Sequence, residues 1–165
     1  MIPIVIKKLT PTAQIPKYAT EGSAAFDLVV DTFKTAFNVN THINSGVVVN
    51  PKLEEITLTH GSRILIGTGL AMQIPPAYEL QVRSRSGLAL NKGLIVANSP
   101  GTIDSDYRGE VMVILLNTCH YSVTIKIGDR IAQAVLAPVE HAGFEEAEEL
   151  TETARGEGGF GHTGA

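Results

Sequence analysis

Residues 123–138 read VTIKIGDRIAQAVLAP, and the first five of them decide the fold class: Val123, Ile125 and Ile127 alternate with Thr124 and Lys126. A period of two puts apolar side chains on one face and polar ones on the other, as in a strand with one wet face. Gly128 and Asp129 break the run, and Ile131–Pro138 resumes it. Working outward, short apolar segments recur at Ile2–Lys8, Val47–Val49, Arg63–Ile66, Ala71–Ile74, Glu79–Arg83, Leu94–Ala97 and Val111–Asn117. Most are rich in Val and Ile, and these others read as strands buried on both sides. The breakers between them, Gly 16 and Pro 8 in the whole chain, leave few stretches long enough for a helix. Only Ser86–Lys92 (SGLALNK) reads as one, ended by Gly93 in the C-terminal glycine position. Many short strands and one helix predict an all-β sandwich, jelly roll or barrel.

A chain of 165 residues and 17.6 kDa fits one domain with a sizeable core. Lys plus Arg number 13 and Asp plus Glu 17, a net charge of −4 that repels polyanions and argues against general nucleic-acid binding. Any phosphate ligand then needs a local basic pocket. The longest unbroken apolar run, Val111–Leu116, falls far short of the roughly 20 residues that cross a bilayer, so no membrane span is expected. At the start, MIPIVIKKLTPTAQIP, apolar residues precede basic ones, the reverse of a signal peptide, which predicts a cytoplasmic protein. The single cysteine, Cys119, cannot form an internal disulfide, and its apolar neighbours predict a buried, inert thiol.

Two stretches break the pattern. Residues 31–61 are rich in polar and turn-forming types and read as a surface excursion or an extra hairpin. The tail RGEGGFGHTG (155–164) carries five glycines; it cannot build a core and is expected to be mobile when no ligand holds it. The organisation expected is a single β domain over 1–150 and a flexible lid over 151–165.

Of six arginines, Arg83, Arg85, Arg108, Arg130 and Arg155 lie in or beside glycine-containing polar segments, while the lysines show no such bias. Arginine suits planar, multidentate phosphate recognition, so the distribution points to a phosphate ligand. Structural ion pairs with Asp27, Asp104, Asp106 or Asp129 are the alternative; they account for Arg108 and Arg130 better than for Arg85 and Arg155. In RSRSGLA, Arg85 and Ser86 precede Gly87 at a loop-to-helix junction, where free backbone N–H groups can hold an anion. In NSPGTIDSDYRGE, Gly101 and Gly109 permit a hairpin carrying Asp104, Asp106 and Tyr107. Asp104 and Tyr107 can line one pocket while Asp106 serves the turn. His42, His60, His120, His141 and His162 show no zinc-ligand spacing. A P-loop is absent, and GEGGFG lacks the strand and helix of a dinucleotide site.

Taken in order, five segments resemble the motifs of the trimeric dUTPases, the deoxyuridine triphosphate nucleotidohydrolases. They are SAAFDLVV (23–30), RSGLA (85–89), GTIDSDYRGE (101–110), GDRIAQ (128–133) and RGEGGFGHTG (155–164). Two residues depart from the pattern: Ser84 stands where the family usually has proline, and His162 where serine is commonest. Residues 31–61 also look longer than the usual first loop.

The resemblance implies a jelly-roll-like β sandwich assembled as a homotrimer, with each active site drawing on several subunits. It implies hydrolysis of dUTP to dUMP and pyrophosphate by water attack on the α-phosphorus, limiting uracil in DNA and supplying dUMP for thymidylate synthesis. Asp104 matches the general base. Arg85, Ser86, Gly87 and Gln133 match phosphate ligands, and Arg155 closes on the phosphates from the tail. Mg2+ is held chiefly by phosphate oxygens and waters, with Asp27 matching the aspartate that contacts its water shell. Asn98 and the backbone of the 101–110 turn face the uracil edge, Tyr107 excludes a 2′-hydroxyl, and Gly101, Thr102, Ile103 and Met112 approach the nucleoside. Phe160 covers the uracil face, with His162 and Thr163 beside it in the tail. The nearest rival is a dCTP deaminase of the same fold, whose glutamate-based site is not visible here. A nucleotide-sensing regulator is the other, with residues 31–61 as its partner surface.

Overall fold

The computed structural model describes residues 1–37, 47, 48, 50, 52–159 and 162. Twelve strands and one helix follow one another as β1 (Val5–Lys8), β2 (Phe26–Val29), β3 (Thr32–Phe37), β4 (Val47–Val48), β5 (Glu55–Leu58), β6 (Arg63–Gln73), β7 (Tyr78–Arg83), α1 (Ser86–Lys92), β8 (Leu94–Val96), β9 (Gly101–Ile103), β10 (Glu110–Asn117), β11 (Val123–Lys126) and β12 (Arg130–Pro138). All pairing is antiparallel. One sheet runs β4-β3-β6-β10-β8 with β1 also on β6, a second runs β2-β12-β7-β9, and β11 pairs with β5.

The alternation that opens the sequence reading is present in β11, where Val123 and Ile125 are buried and Thr124 and Lys126 exposed. One apolar core joins the sheets: Ile64, Ile66, Val113 and Leu115 from the first pack with Leu28, Leu80, Val82, Ile131 and Ala134 of the second. Burial of this kind contributes about 25 cal/mol per Å² of apolar surface and is what holds the layers together. Helix α1 has the expected bounds, and Gly93 ends it at φ 57°, its N–H donating to the Ala89 carbonyl.

Several expectations need correction. The two segments 63–66 and 71–74 are one eleven-residue strand, β6, which continues through Gly67 and Gly69 because neighbours on both sides pair with it. Residues 31–61 are more than an excursion or extra hairpin: consecutive strands β3 and β4 do pair antiparallel, but β3 also joins the main sheet with Phe33 buried, and β5 pairs with β11 with Leu58 buried. Residues 38–46, 49 and 51 lie outside the described residues. Strands β2 and β9 have no counterpart among the expected strands, being short and interrupted by Asp27 or glycine. β10 is buried on one face and half-buried on the other, where Met112, Ile114 and Leu116 lie. The expected hairpin at 101–110 does not form as a pair of strands, since β9 pairs with β7 and β10 with β6 and β8. Cys119 is half-buried, its sulfur packed on Gly93; hydrogen bonding and then charge interaction with it raise the Tyr121 hydroxyl above its ordinary pKa.

Candidate active site

The sheet β2-β12-β7 places three polar side chains in a row. Gln133 on β12 is directly opposite Asp27 on β2 and Arg83 on β7, and cross-strand partners share a face. Asp27 binds two arginines at once. Its Oδ1 accepts from Arg85 Nε at 2.7 Å and its Oδ2 from Arg130 Nη1 at 3.1 Å. Arg85 Nη1 also donates to the Arg130 carbonyl at 3.1 Å, so its guanidinium is oriented by two acceptors. The ion-pair alternative thus holds for Arg130 and, against expectation, also for Arg85. Arg108 instead donates to the carbonyls of Ser105 and Tyr107.

These residues line a cleft of about 480 Å³ together with Ser86, Gly87, Arg83 and Lys17. Lys17, Arg83, Arg85 and Arg130 face a single carboxylate, Asp27, so the cleft is basic in an acidic chain. That charge favours a polyanion, and arginines held in fixed orientation favour phosphate. Lys17 carried no signal in the sequence, standing in a stretch without a motif; Arg83 and Arg130 were visible in the arginine bias.

Ser84 ties this cleft to its surroundings. Its carbonyl accepts from Gln133 Nε2 at 2.9 Å, its hydroxyl accepts from the Val96 N–H at 2.8 Å, and its own N–H donates to Ser99 Oγ at 3.4 Å.

Asp104 is exposed and lines a different cleft, of about 420 Å³, with Thr102, Asp106, Tyr78, Glu79 and His141. Its carbonyl accepts from the Tyr107 N–H at 3.2 Å, and the Tyr107 hydroxyl donates to the Glu110 carbonyl at 3.1 Å. Gly101 is buried opposite Val82, and a Cβ there would stand 3.1 Å from the exposed Asn98 amide. Ile103 pairs with Leu80, while Met112 lies on β10 in the other sheet, opposite Gly67. In the tail, Arg155 Nε donates to the Gly158 carbonyl at 2.7 Å and the His162 ring lies against Gly158. Phe160 and Thr163 lie outside the described residues.

The fold therefore brings Asp27, Arg85, Ser86, Gly87 and Gln133 together, gathers Asn98, Gly101, Thr102, Ile103, Asp104 and Tyr107 on a second segment, and leaves Arg155 and His162 bonded to their own tail. The family model described as dUTPase matches residues 51–164. The chain belongs to the dUTPase family. Among curated dUTPase relatives, the deoxyuridine 5′-triphosphate nucleotidohydrolase of Nautilia profundicola is 48% identical over 159 residues, 96% of each chain. That of Helicobacter pylori is 45% identical over 161 residues, 98% of this chain and 96% of the relative. Among solved dUTPases, that of Staphylococcus bacteriophage 80alpha with dUpNHpp superposes with a TM-score of 0.78 over 99% of both chains at 23% identity. A point mutant of the dUTPase of phage phi11 of S. aureus, whose structure reveals the coordination of a structural Mg(II) ion, gives 0.71 over 91% of this chain and 99% of its own at 19% identity. At such identities the likeness is one of fold. Among the described residues no helix is long and apolar enough to cross a membrane.

Proposed function

We propose that this protein hydrolyses dUTP to dUMP and pyrophosphate, as a homotrimer of jelly-roll-like subunits whose active sites are each assembled from several chains. The observation that carries the reading is the separation of the basic cleft around Arg85 from the cleft that holds Asp104. Each has half of the chemistry, phosphate recognition in one and a free carboxylate in the other. Juxtaposing the first cleft of one subunit with the second of another completes the site.

In that site Arg85, Ser86, Gly87 and Gln133 bind the phosphates, and the Asp27 carboxylate keeps the Arg85 guanidinium oriented before substrate arrives. Preorientation matters because phosphoryl transfer depends mostly on positioning and charge stabilisation. Asp104 accepts a proton from the water that attacks the α-phosphorus. Tyr107 stacks against the deoxyribose and leaves no room for a 2′-hydroxyl; Asn98 and the backbone of 101–103 pair with the uracil edge. Cytosine reverses the donor and acceptor pattern there, and unpaired buried groups reject it. The tail closes with Arg155 on the phosphates and Phe160 on the base, and excludes bulk water.

Mg2+ fits this donor set in one way. Both Asp27 oxygens already accept from arginine, and no group of three or more ligating side chains occurs among the described residues, so a protein-only cage is absent there. An ion carried by the phosphates, with Asp27 accepting from one of its waters, agrees with the reluctance of Mg2+ to dehydrate. Bound there, the ion supplies charge neutralisation to the triphosphate.

The test is to incubate the purified protein with each dNTP and Mg2+ and to measure pyrophosphate and ammonia. Pyrophosphate from dUTP alone is expected. Ammonia from dCTP would replace the reading with a deaminase, and stoichiometric binding without turnover would replace it with a nucleotide sensor.

A further inference from the structure

Glu110 occupies an unusual position. It is the first residue of β10, directly after the 104–109 turn, and its side chain points across the central strand β6. Oε1 accepts from the Gly69 N–H at 2.9 Å, and Oε2 pairs with Lys34 Nζ at 3.1 Å. Lys34 belongs to β3, on the opposite side of β6 from β10. The two side chains can meet because the strand between them is bare at that point: a Cβ on Gly67 would collide with Glu110 Oε1, and would stand 2.6 Å from both Lys34 Cε and Thr32 Oγ1.

The backbone is arranged for the same contact. Pairing of β3 with β6 shifts register between Phe33 and Thr35, at Lys34, and pairing of β10 with β6 shifts between Glu110 and Met112. The β10 irregularity falls on Thr68–Leu70 of β6, and the β3 irregularity lies opposite Leu65 and Ile66, just before Gly67. Bulges re-aim side chains and end regular pairing: the one with β10 leaves the Gly69 N–H to a side-chain acceptor, and the one with β3 puts Lys34 at the shift. Thr68 Oγ1 closes the gap by donating to the Val111 carbonyl at 2.6 Å. Glu110 then passes its position back into the turn, since its carbonyl accepts from the Tyr107 hydroxyl and the Tyr107 N–H bonds the Asp104 carbonyl.

We infer that Glu110, clamped by Gly69 and Lys34 across Gly67, is a positioning residue that sets Tyr107 against the sugar and thereby sets the preference for dUTP over UTP. The inference rests on the reading of Tyr107 given above. It makes residues of β3, inside a stretch that the sequence suggests is a surface excursion, part of the machinery of specificity.

The experiment compares kcat/KM for dUTP and UTP in wild type, Tyr107→Ala, Glu110→Ala, Glu110→Gln and Lys34→Met, with thermal melting of each. Glu110→Ala is expected to lower the dUTP-to-UTP ratio about tenfold or more. Glu110→Gln, which keeps an oxygen for Gly69, stays within about threefold of wild type, and Lys34→Met lowers the ratio about threefold. A ratio that changes in Tyr107→Ala but not in folded Glu110→Ala overturns the inference alone. If Glu110→Ala does not fold, an unchanged ratio in Lys34→Met does the same. No change in Tyr107→Ala, or no hydrolysis by wild type, ends the reading of the site and the inference with it.

Discussion

Asp27 on β2 stands directly opposite Gln133 on β12, and its two carboxylate oxygens each hold a different arginine. Substituting Asp27→Asn therefore does two things with opposite signs. It raises the cleft's charge by one, so metal-free pyrophosphate should bind a few-fold more tightly at low salt. It also loosens Arg85, which keeps only a neutral amide oxygen and the Arg130 carbonyl as acceptors, so hydrolysis with Mg2+ should fall about tenfold or more. Calorimetry and steady-state kinetics read the two separately; a parallel change in both measurements contradicts the orienting role.

Asp104→Asn keeps the shape of the side chain and removes its basicity. Turnover should fall by about 10² to 10⁴ with nucleotide affinity retained. Near-wild-type turnover takes Asp104 out of the mechanism.

Tyr107→Ala should admit UTP, because in the proposed site the ring excludes the 2′-hydroxyl. Competition between dUTP and UTP gives the answer directly, and an unaltered ratio moves the gate elsewhere.

Gly69→Ala is read by its effect on stability, apart from the bond its N–H gives Glu110. Gly69 has φ +66°, and a Cβ there would lie 2.6 Å from Asp31 Oδ2, whose two oxygens already accept from Thr10 and Thr12. The backbone conformation alone costs an L-residue about 1 to 3 kcal/mol, and the displaced carboxylate adds to it. Denaturant unfolding should show a loss larger than about 2 kcal/mol, and a smaller one means Asp31 moves freely.

Deleting residues 155–165 should leave strand content intact and abolish most turnover. Ordering a glycine-rich tail costs about 1 to 2 kcal/mol of backbone entropy per residue, so the closure proposed above requires contacts supplied by substrate. Co-refolding tail-deleted chains with full-length Asp104→Asn chains should restore activity in mixed trimers. Each variant refolded alone is the control, and proven mixed trimers without activity rule out tail exchange.

How far the sequence could be read depended on the range of the interactions involved. Helix α1 and its glycine end were legible because capping is local, and β11 because alternation is local. Arg130 on β12 was legible as a type, an arginine in a glycine-containing segment, and Asp27 on β2 through the motif resemblance, but not as partners: Asp27 and Arg130 lie 103 residues apart in sequence. The division of β6 failed for a related reason. Gly67 and Gly69 are breakers by propensity, and only pairing with β1, β3 and β10 shows that a strand runs through them. Lys34 was invisible as a site residue because its partner is reached by crossing a strand.

Ser84 has a consequence for how such a chain can change over generations. Its hydroxyl is the acceptor for the N–H of Val96, a residue 2% exposed, and a proline at this position brings no acceptor with it. An unpaired buried N–H costs about 1 to 3 kcal/mol. Replacing Ser84 by the proline that the resembled motif usually carries is therefore not a neutral single step in this background. It becomes open only after some other substitution has given Val96 a new acceptor, so the history of position 84 is bound to that of the strand beside it.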